Sequence, residues 1–496
     1  MLPGLGFATV AGGCGKVSRA RRSALGGGFT VGCMQNSSPS LELTPDLVER
    51  VRGAVNALRP QLRQDLAELV AFNSVALDPA TREECVAAAE WVAQALSNRG
   101  LEVQAFDTAD GSRALVGRKE AAPGQPTVLL YSHYDVVSAG DPAAWTSDPF
   151  TLTERDGRWY GRGTADCKGN LVMHLAALRV LEELHPASGL GITVLIEGSE
   201  EQGGEGLDSL LAAHPELFTA DAIMIADTGN ISLGEPTLTT TLRGGAQVTV
   251  TVSTLRSKVH SGSFGGAAPD AAFALVRLLD SLRNDSGAVV IDGVDCTGTW
   301  EGVQYDAETF RGDATVLEGV SLMGEGEATV ADQVWARPAV TITGLTSTPV
   351  AEAVNAVPNT ASAQLNLRVP PGMRAQDVVD GLVAHLRAHV PWGAHLDIVV
   401  DSVNDPFQAD TSGPGLAHLA ACLSAGFDGK PTLSAGTGGS IPLCTTLQQM
   451  QPEAEIALYG VEEPLCTIHA VDESVSPDEI AGITVAEALF LLTYTK

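Results

Sequence analysis

The sequence predicts an α/β fold in which a largely parallel sheet is interrupted by an inserted α+β unit. Helical apolar spacing alternates with short continuous apolar runs over residues 44–239 and again from residue 406 to the end, a pattern typical of a parallel sheet covered by helices. Between these parts the sequence changes to period-2 alternation rich in β-branched residues, which indicates antiparallel strands. At 496 residues the chain is also long enough for two hydrophobic cores.

The first part of the predicted sheet opens with helical segments that begin near residue 44. The segment TREECVAAAEWVAQALSNRG has Thr81 at a predicted N-cap, Glu84 as its capping-box partner and Gly100 at its end. The run LEVQAF predicts a strand, and PTVLLYSHYDVV predicts a strand buried on both faces. Polar residues follow only at the C-terminal end of that second run.

A further helix–strand alternation follows in the same part of the chain. Helical spacing extends from Lys168 to about His185, after which GITVLIEG predicts a strand, GLDSLLAAH a helix and DAIMIAD another strand. Parallel sheets collect functional residues at the carboxyl ends of their strands. We therefore expect a functional site where these strands end.

The inserted unit is predicted over residues 240–405. The run TLTTTLRGGAQVTVTVST predicts one antiparallel strand with a solvated face. A helix at PDAAFALVRLLDSLR, strands at AVTITGL and ASAQLNLRV, a helix near 376–390 and a strand at HLDIVV complete it. Because residues 406–496 return to helix–strand alternation, we predict that they complete the domain begun by residues 44–239.

Residues 1–43 are predicted to form a flexible N-terminal extension, since they are rich in glycine and contain no acidic residue before Glu42. The segment RARRSALGGGFTVGC weakly resembles a lipoprotein export signal that ends at Cys33, although glycines dilute its apolar run. An extended or misassigned start, with Met34 as the first residue, is the other interpretation. We predict a cytoplasmic protein, with export through Cys33 as the alternative.

The composition of the chain disfavours several classes of partner. Thirty basic against 60 acidic residues give a net charge of −30, which repels phosphate backbones and anionic lipids, so no nucleic-acid partner is predicted. The eight scattered cysteines contain no C-x-x-C pair, which favours a reduced cytoplasmic protein. No apolar stretch approaches the roughly 18 residues that a membrane span requires.

Metal-ligand types recur at the ends of the predicted strands. They are His133 and Asp135 after VLLYS, Asp166 after GRGTA, Glu200 and Glu201 after VLIEGS, and Asp227 after IMIA. Any one of them alone is more often a helix cap or a turn residue. Together at one edge of a sheet, these carboxylates would repel one another strongly unless cations were bound between them.

Five motifs carry a resemblance to a known family. SHYDVV, GRGTADCKG, EGSEEQGGEG, ADTGN and TIHAVDESV resemble, in order, the metal-site motifs of the co-catalytic zinc metallopeptidases, which include carnosinase-type dipeptidases, aminoacylase, succinyl-diaminopimelate desuccinylase and carboxypeptidase G. The carnosinase-like dipeptidases are the most similar, because of HSG, GGSIP and GRGTADCKGN. The resemblance implies a three-layer catalytic domain of the zinc-peptidase type with an inserted lid and dimerisation domain.

The resemblance also implies a role for each strand-end residue. Two divalent ions, zinc or else manganese or cobalt, would be held by His133 and Asp227 on one side and by Glu201 and His469 on the other, with Asp166 between them; Asp135 would orient His133, and Glu200 would be the general base. Such a pair of ions can hold a bridging hydroxide that attacks an amide carbonyl. The implied reaction is hydrolysis of a dipeptide.

Further motifs resemble the substrate-binding parts of that family. KVHSGSFGG resembles the lid motif in which a histidine, here His260, reaches across a dimer interface, so a homodimer is implied. VNAVPNTASAQLNLRVPPG suggests Asn355 and Arg368 as contacts to the substrate. GTGGSIPL resembles the loop that binds the terminal carboxylate, with Gly439 and Ser440. It is not a G-x-S-x-G elbow, so Ser440 is not interpreted as a nucleophile.

Other interpretations stay open at this point. The same metals could serve an N-acyl-amino-acid deacylase, and the fold could belong to a binding protein without catalysis; a serine hydrolase has no supporting motif. VNDPFQAD lacks the histidine expected near the end of the lid in carnosinase-type members. Cys167 is not interpreted as a metal ligand, because oxygen and imidazole ligands already suffice. The remaining histidines are interpreted as structural or exposed, without carboxylate neighbours: His174, His185, His214, His385, His389, His395 and His418.

Overall fold

A computed structural model describes residues 41–326 and 328–496. The predicted extension, including Cys33 and Met34, lies outside these residues except for its last three positions. The helices are α1 (Pro45–Val70), α2 (Arg82–Ser97), α3 (Lys168–Leu184), α4 (Glu205–Ala213), α5 (Ser261–Phe264), α6 (Ala271–Asp280), α7 (Ala307–Asp313), α8 (Ala375–His389), α9 (Pro414–Gly426), α10 (Pro442–Met450) and α11 (Pro477–Thr493). The predicted helix from Lys168 is thus confirmed.

The strands form one large and several smaller sheets. They are β1 (Glu102–Asp107), β2 (Arg113–Lys119), β3 (Thr127–His133), β4 (Thr153–Arg155), β5 (Arg158–Tyr160), β6 (Gly191–Glu197), β7 (Ala222–Ala226), β8 (Thr237–Leu242), β9 (Gly244–Ser253), β10 (Val259–His260), β11 (Ala339–Thr346), β12 (Ala356–Val357), β13 (Thr360–Val369), β14 (His395–Asn404), β15 (Phe407–Gln408), β16 (Leu433–Thr437), β17 (Glu455–Tyr459) and β18 (Ser474–Val475).

The large sheet has the order β1-β2-β6-β3-β7-β17-β8-β15, and β16 also pairs with β8. Its central strands β6, β3, β7 and β17 are parallel, whereas β1, β2 and β15 pair antiparallel at the edges. The predicted α/β class is confirmed. The parallel centre is fully buried in β6 and β7, as the continuous apolar runs predict.

Helices α1, α3, α9 and α11 pack against one another beside this sheet, with α3 also contacting β3 and α9 contacting β17. Every residue of α11 from Glu479 to Thr493 is buried, because neighbouring elements surround this helix. One continuous apolar core joins these helices to the large sheet. The core fixes the ends of the central strands, where the candidate site lies.

A second sheet, β11-β13-β9-β14, is entirely antiparallel. It has a hydrophobic core of its own, to which α6 and α8 contribute. Burial alternates along β9 and β13, so the predicted solvated face is confirmed. The division of the chain into domains at residues 240 and 405 stays a prediction.

The run predicted as a single strand after Thr237 forms two strands in two sheets. β8 belongs to the large sheet and β9 to the second one, so the second sheet starts at Gly244 rather than near residue 240. The chain crosses between the sheets at glycines: a Cβ on Gly244 would lie 2.2 Å from the carbonyl oxygen of Asn404. Alternation of residue types cannot reveal such a crossing, because the pattern continues through it.

The predicted capping box of α2 is wrong in its contacts. Thr81 is the N-cap, but its side chain accepts no hydrogen bond from the helix. Its hydroxyl instead donates to the carbonyl oxygen of Val75 at 2.7 Å. A nearby backbone acceptor thus competes with the helix for the threonine side chain.

Within the described residues, none of the helices combines the length and the apolar character that crossing a membrane requires. Six of the cysteines lie in the same part of the chain, and all six are unpaired: Cys85, Cys167, Cys296, Cys422, Cys444 and Cys466.

Candidate metal centre

The candidate site lies at the carboxyl ends of the four central parallel strands. His133 is the last residue of β3, Glu200 and Glu201 follow β6, Asp227 directly follows β7, and Glu462 follows β17. Because these strands run in the same direction side by side, their ends meet at one edge of the sheet. Strand polarity therefore brings residues together that are far apart in the sequence.

His133 connects three carboxylates and is fully buried. Its Nε2 atom lies 3.1 Å from Asp166 Oδ1 and 3.2 Å from Asp227 Oδ1. Its Nδ1 atom faces Asp135 Oδ1 at 3.2 Å. Asp135 thus contacts the ring nitrogen that points away from the other two acids, which fixes the orientation of the imidazole.

Asp135 also holds the loop after β6. Its two carboxylate oxygens accept hydrogen bonds from the backbone N–H groups of Glu200 at 3.2 Å and Glu201 at 3.1 Å. This one buried side chain therefore links the end of β3 to the adjacent pair of glutamates.

Asp166 lies between two histidines. Its Oδ1 atom faces His133, and its Oδ2 atom lies 3.0 Å from His469 Nε2. The same nitrogen of His469 lies 3.0 Å from Glu201 Oε2. The five residues thus form two groups, His133 with Asp227 and Glu201 with His469, that share one aspartate.

A buried glutamate positions the loop that carries Asp166. Glu473 accepts hydrogen bonds from the N–H groups of Gly163 at 2.9 Å, Ala165 at 3.0 Å and Asp166 at 3.2 Å. The guanidinium of Arg162 donates to it at 2.7 Å and balances its charge. Sequence reasoning missed Glu473, because no pattern in HAVDES distinguishes it from Asp472.

The site brings several acidic side chains close together. Burial raises the pKa of Glu200 well above its ordinary value, and Asp227 raises it further. Burial also raises the pKa of Glu201 and of Asp227. Hydrogen bonds to Asp166 and Glu201 raise the pKa of His469 to about 10. The raised pKa values show that charging these buried carboxylates side by side is unfavourable.

The residues present fit two divalent cations. Imidazole nitrogens and carboxylate oxygens are the ligands that zinc and related ions accept. Sets of three such ligand atoms lie within 4.8 Å of one another in the group of Asp166, Glu201 and His469 and in the group of Asp166, Asp227 and Glu462. Glu201 Oε1 and Glu462 Oε1 are buried without a hydrogen-bond partner. Bound cations would satisfy such oxygens.

Two further residues stand at the site. Cys167 Sγ donates to the carbonyl oxygen of Ala226 at 3.0 Å, and burial raises the pKa of this thiol, which leaves it neutral.

Glu462 was missed by sequence reasoning. The rule that selected Asp227 could have found it, since only two residues separate the apolar run EIALY from Glu462.

Four of the other histidines have carboxylate partners, contrary to the sequence interpretation; His214 lies 3.3 Å from Glu216 and His385 lies 3.5 Å from Asp292. His174 Nδ1 lies 2.8 Å from Glu487 and His389 Nε2 lies 2.7 Å from Asp292. His174 Nε2 also contacts the carbonyl oxygen of Tyr131, so it is a satisfied core residue. The pairs of His174 and His389 were unpredictable because their partners are about 100 or more residues away in the sequence.

A cavity of about 890 Å³ opens onto the candidate centre. Of the predicted substrate contacts, Arg368, Gly439 and Ser440 line it. His260 and Asn355 are not among its lining residues. They lie together at the two-stranded sheet of β10 and β12, where the N–H of Ser261 donates to the carbonyl oxygen of Asn355 and His260 is exposed.

A second arginine lies beside Arg368. Arg243 is half-buried, its buried Nε atom has no hydrogen-bond partner, and burial together with Arg368 lowers its pKa to about 10. A Cβ on Gly438 would lie 2.8 Å from its guanidinium, so Arg243 reaches the loop that carries Ser440. Sequence reasoning missed it, because it lies within the run that was predicted as a continuous strand.

Comparison with known proteins identifies the family. A model of peptidase family M20/M25/M40 matches residues 129–492, most of the chain. The chain belongs to peptidase family M20/M25/M40. The resemblance inferred from the five motifs is thereby confirmed, and this M20/M25/M40 member is a metallopeptidase.

Individual M20/M25/M40 relatives cover most of the chain. A cysteinylglycine-S-conjugate dipeptidase of Corynebacterium striatum is 52% identical over 439 residues, 88% of this chain and 96% of that relative. A Cys-Gly metallodipeptidase of Schizosaccharomyces pombe is 28% identical over 335 residues, 63% of this chain and 70% of that protein. The crystal structure of human carnosine dipeptidase 1 has a TM-score of 0.75 at 24% identity and covers 92% of this chain and 99% of its own, which supports the same fold.

Proposed function

We propose that the protein is a dinuclear, zinc-dependent dipeptidase. The observation that carries this proposal is the shared position of Asp166, whose two oxygens face two separate histidines. The relative of 52% identity, a cysteinylglycine-S-conjugate dipeptidase, supports a dipeptide as the substrate. Manganese and cobalt remain the other metals that these ligand types accept.

The ligands of the two ions follow from the two groups around Asp166. His133 and Asp227 would hold one ion, Glu201 and His469 the other, and Asp166 both. When bound, such ions polarise a carbonyl oxygen and lower the pKa of a water molecule. Asp135 keeps the His133 ring in place. It also accepts hydrogen bonds from the N–H groups of Glu200 and Glu201, which keeps both glutamates next to Asp135.

Glu200 is the residue that moves the proton. Its neighbour Glu201 contacts His469, whereas Glu200 belongs to neither ligand group. A free carboxylate at this place can take a proton from the attacking water and deliver it to the leaving amide nitrogen. Burial and the nearby Asp227 raise the pKa of Glu200 above its ordinary value.

The charges along the cavity favour a dipeptide over an N-acyl amino acid. Arg243 and Arg368, with Gly439 and Ser440, would hold the terminal carboxylate of the substrate. Glu462 lines the cavity and is not one of the five proposed metal ligands, so its carboxylate would be available to pair with a free ammonium group of the substrate. An N-acyl amino acid has no such group, so only a dipeptide would use both ends of the cavity.

A substrate panel tests the proposed function. We expect purified protein loaded with zinc to hydrolyse dipeptides at least about tenfold faster, in kcat/KM, than the matching N-acetyl amino acids, because only dipeptides pair with Glu462. Chelation should abolish the reaction, and zinc, manganese and cobalt are each added back in turn. Faster turnover of the N-acetyl series would establish a deacylase. Turnover that resists chelation but stops with a serine-directed reagent would reject metal catalysis.

We also propose a homodimer in which His260 serves the partner's site. The exposure of His260, and its absence from the lining of the cavity, support a role toward another chain. As a neutral or charged imidazole it can donate a hydrogen bond to the oxyanion that forms during amide hydrolysis.

Mixing two inactive variants tests this arrangement. His260→Ala should lower kcat about 100-fold, as loss of one oxyanion donor does, with metal content unchanged. Mixing it with Glu200→Gln under subunit exchange should restore about a quarter of wild-type activity, because half of the dimers are mixed and each has one complete site. No recovery, with exchange verified by a tagged chain, would show that His260 does not act across the interface.

A cytoplasmic location also stays a proposal. The six unpaired cysteines of the described part support a reducing compartment.

A further inference from the structure

Four aromatic side chains meet in the segment between α6 and β11. This aromatic cluster consists of Trp300, Tyr305, Phe310 and Trp335. Ring centroids are 5.2 Å apart for Trp300 and Trp335, 5.7 Å for the stacked pair of Tyr305 and Trp335, and 5.3 Å for the edge-to-face pair of Tyr305 and Phe310. Aromatic residues make up only 5% of the chain, so their convergence here is a local feature.

Polar contacts hold the aromatic cluster in place. The carboxylate of Asp332 accepts hydrogen bonds from the N–H groups of Trp300 at 2.7 Å and Thr329 at 2.9 Å. The hydroxyl of Tyr305 donates to Asp313 at 2.6 Å. Both ends of the segment are thus fixed, and the rings present a preformed surface.

That surface faces the candidate metal centre. Tyr305, Phe310 and Trp335 line the same cavity as Asp166 and His469. Trp335 is almost fully buried, whereas Tyr305 and Phe310 are half-buried and keep area that can be covered. A cluster that served only to pack its own segment would not need to leave these two rings along the cavity.

The cluster also lies against the strand that leads to the predicted carboxylate-binding loop. A Cβ on Gly436 would lie 3.1 Å from both Trp300 and Trp335. The glycine therefore lets the indole rings pack on the backbone of β16, one residue before Thr437. The aromatic cluster and the loop of Gly439 and Ser440 therefore belong to the same cavity.

We propose that the aromatic cluster is a subsite for an apolar side chain of the dipeptide, such as an aliphatic, aromatic or thioether group. The inference rests on the proposed dipeptidase function. The metal centre and the arginines bind the charged parts of a substrate, and neither offers favourable contact to an apolar group. The rings do so by removing apolar surface from water and by stacking or contacting sulfur.

Selectivity measurements test the subsite. We compare kcat/KM for Ala-Gly, Leu-Gly and S-benzylcysteinyl-Gly, and for Gly-Ala, Gly-Leu and Gly-Phe, in wild type and in Phe310→Ala. We expect kcat/KM for the large apolar substrate, divided by kcat/KM for its alanine counterpart, to fall about tenfold or more in one of the two series. The series affected identifies which residue of the dipeptide contacts the cluster. Unchanged ratios in both series would overturn the proposal.

Equilibrium binding provides a readout that does not depend on turnover. In the zinc-loaded Glu200→Gln background, calorimetry should show Leu or S-benzylcysteinyl dipeptides binding about tenfold more weakly once Phe310→Ala is added, with a smaller change for the alanine dipeptide. Trp335→Leu should act in the same direction while keeping a core-sized side chain. Equal weakening for all dipeptides would assign the rings a structural role and overturn the subsite.

An exposed tryptophan offers a matched control. Trp392 is 61% exposed and is not among the residues that line the cavity, so Trp392→Ala should leave every ratio unchanged. The proposed function and the subsite fail in different ways. If wild type hydrolyses no dipeptide with any added metal, the proposed function fails; if it hydrolyses them with ratios that Phe310→Ala does not alter, only the subsite fails.

Discussion

Replacing Glu200 by glutamine is expected to lower kcat for dipeptide hydrolysis by about 10³-fold, the range that loss of a general base produces, while about two metal ions remain bound per chain. Glutamine keeps the shape of the side chain but cannot take a proton from water. Glu200 belongs to neither group around Asp166, so its change should leave the ligands in place. Metal analysis by mass spectrometry and steady-state kinetics measure the two effects.

The adjacent glutamate should behave differently. Glu201 Oε2 contacts His469 at 3.0 Å, so Glu201→Gln is expected to lose bound metal together with activity. The exposed Glu90 on α2 supplies a control, and Glu90→Gln should change neither quantity. If Glu200→Gln kept most of its turnover, another residue would have to be the base. If it lost metal, Glu200 would itself be a ligand.

The sequence made the strand-end residues predictable because strand direction is a strong constraint. Once PTVLLYSHYDVV, GITVLIEG and DAIMIAD are assigned to one parallel sheet, the positions of His133, Glu201 and Asp227 at a common edge follow. No detail of side-chain packing is needed for that step. Asp166 was predicted together with the strand-end residues, although it lies on the loop between β5 and α3. The family motif TIHAVDESV added His469, which periodicity cannot place.

What the sequence could not provide depends on contacts between distant segments. Arg243 became visible as a neighbour of Arg368 and of the Gly438 loop only when its run separated into β8 and β9 at Gly244. Glu473 positions Asp166 from more than 300 residues away. The aromatic cluster lies in a segment with no helical or strand periodicity, so only its fold brings Trp300 onto Trp335.

The wrong capping-box prediction has a more local cause. Thr81 and Glu84 have the correct spacing, but the hydroxyl of Thr81 finds the carbonyl oxygen of Val75 in the preceding turn. A sequence motif states which hydrogen bonds are available to a residue. The geometry of neighbouring backbone decides which of them forms.

Asp166→Ala is expected to remove both metal ions and with them all hydrolysis, a larger effect than loss of any other ligand. Each oxygen of Asp166 faces a different histidine, at 3.1 Å and 3.0 Å, so one substitution takes a ligand from both groups. Even the loss of a residue that only supports a metal ligand weakens metal binding about 10- to 100-fold. Loss of a residue that both ions share should weaken metal binding by more than that range.

Thermal unfolding with and without zinc separates this effect from general damage to the fold. In wild type, zinc at 100 times its Kd should stabilise the folded state by about 2.7 kcal/mol per site, seen as a rise in Tm. Asp166→Ala should show no such rise, because the two groups no longer share a ligand. Asp401→Ala, at an exposed position on β14, should keep the full rise. A variant of Asp166 that still bound two ions would contradict a shared site, since the remaining ligands would then suffice for each ion alone.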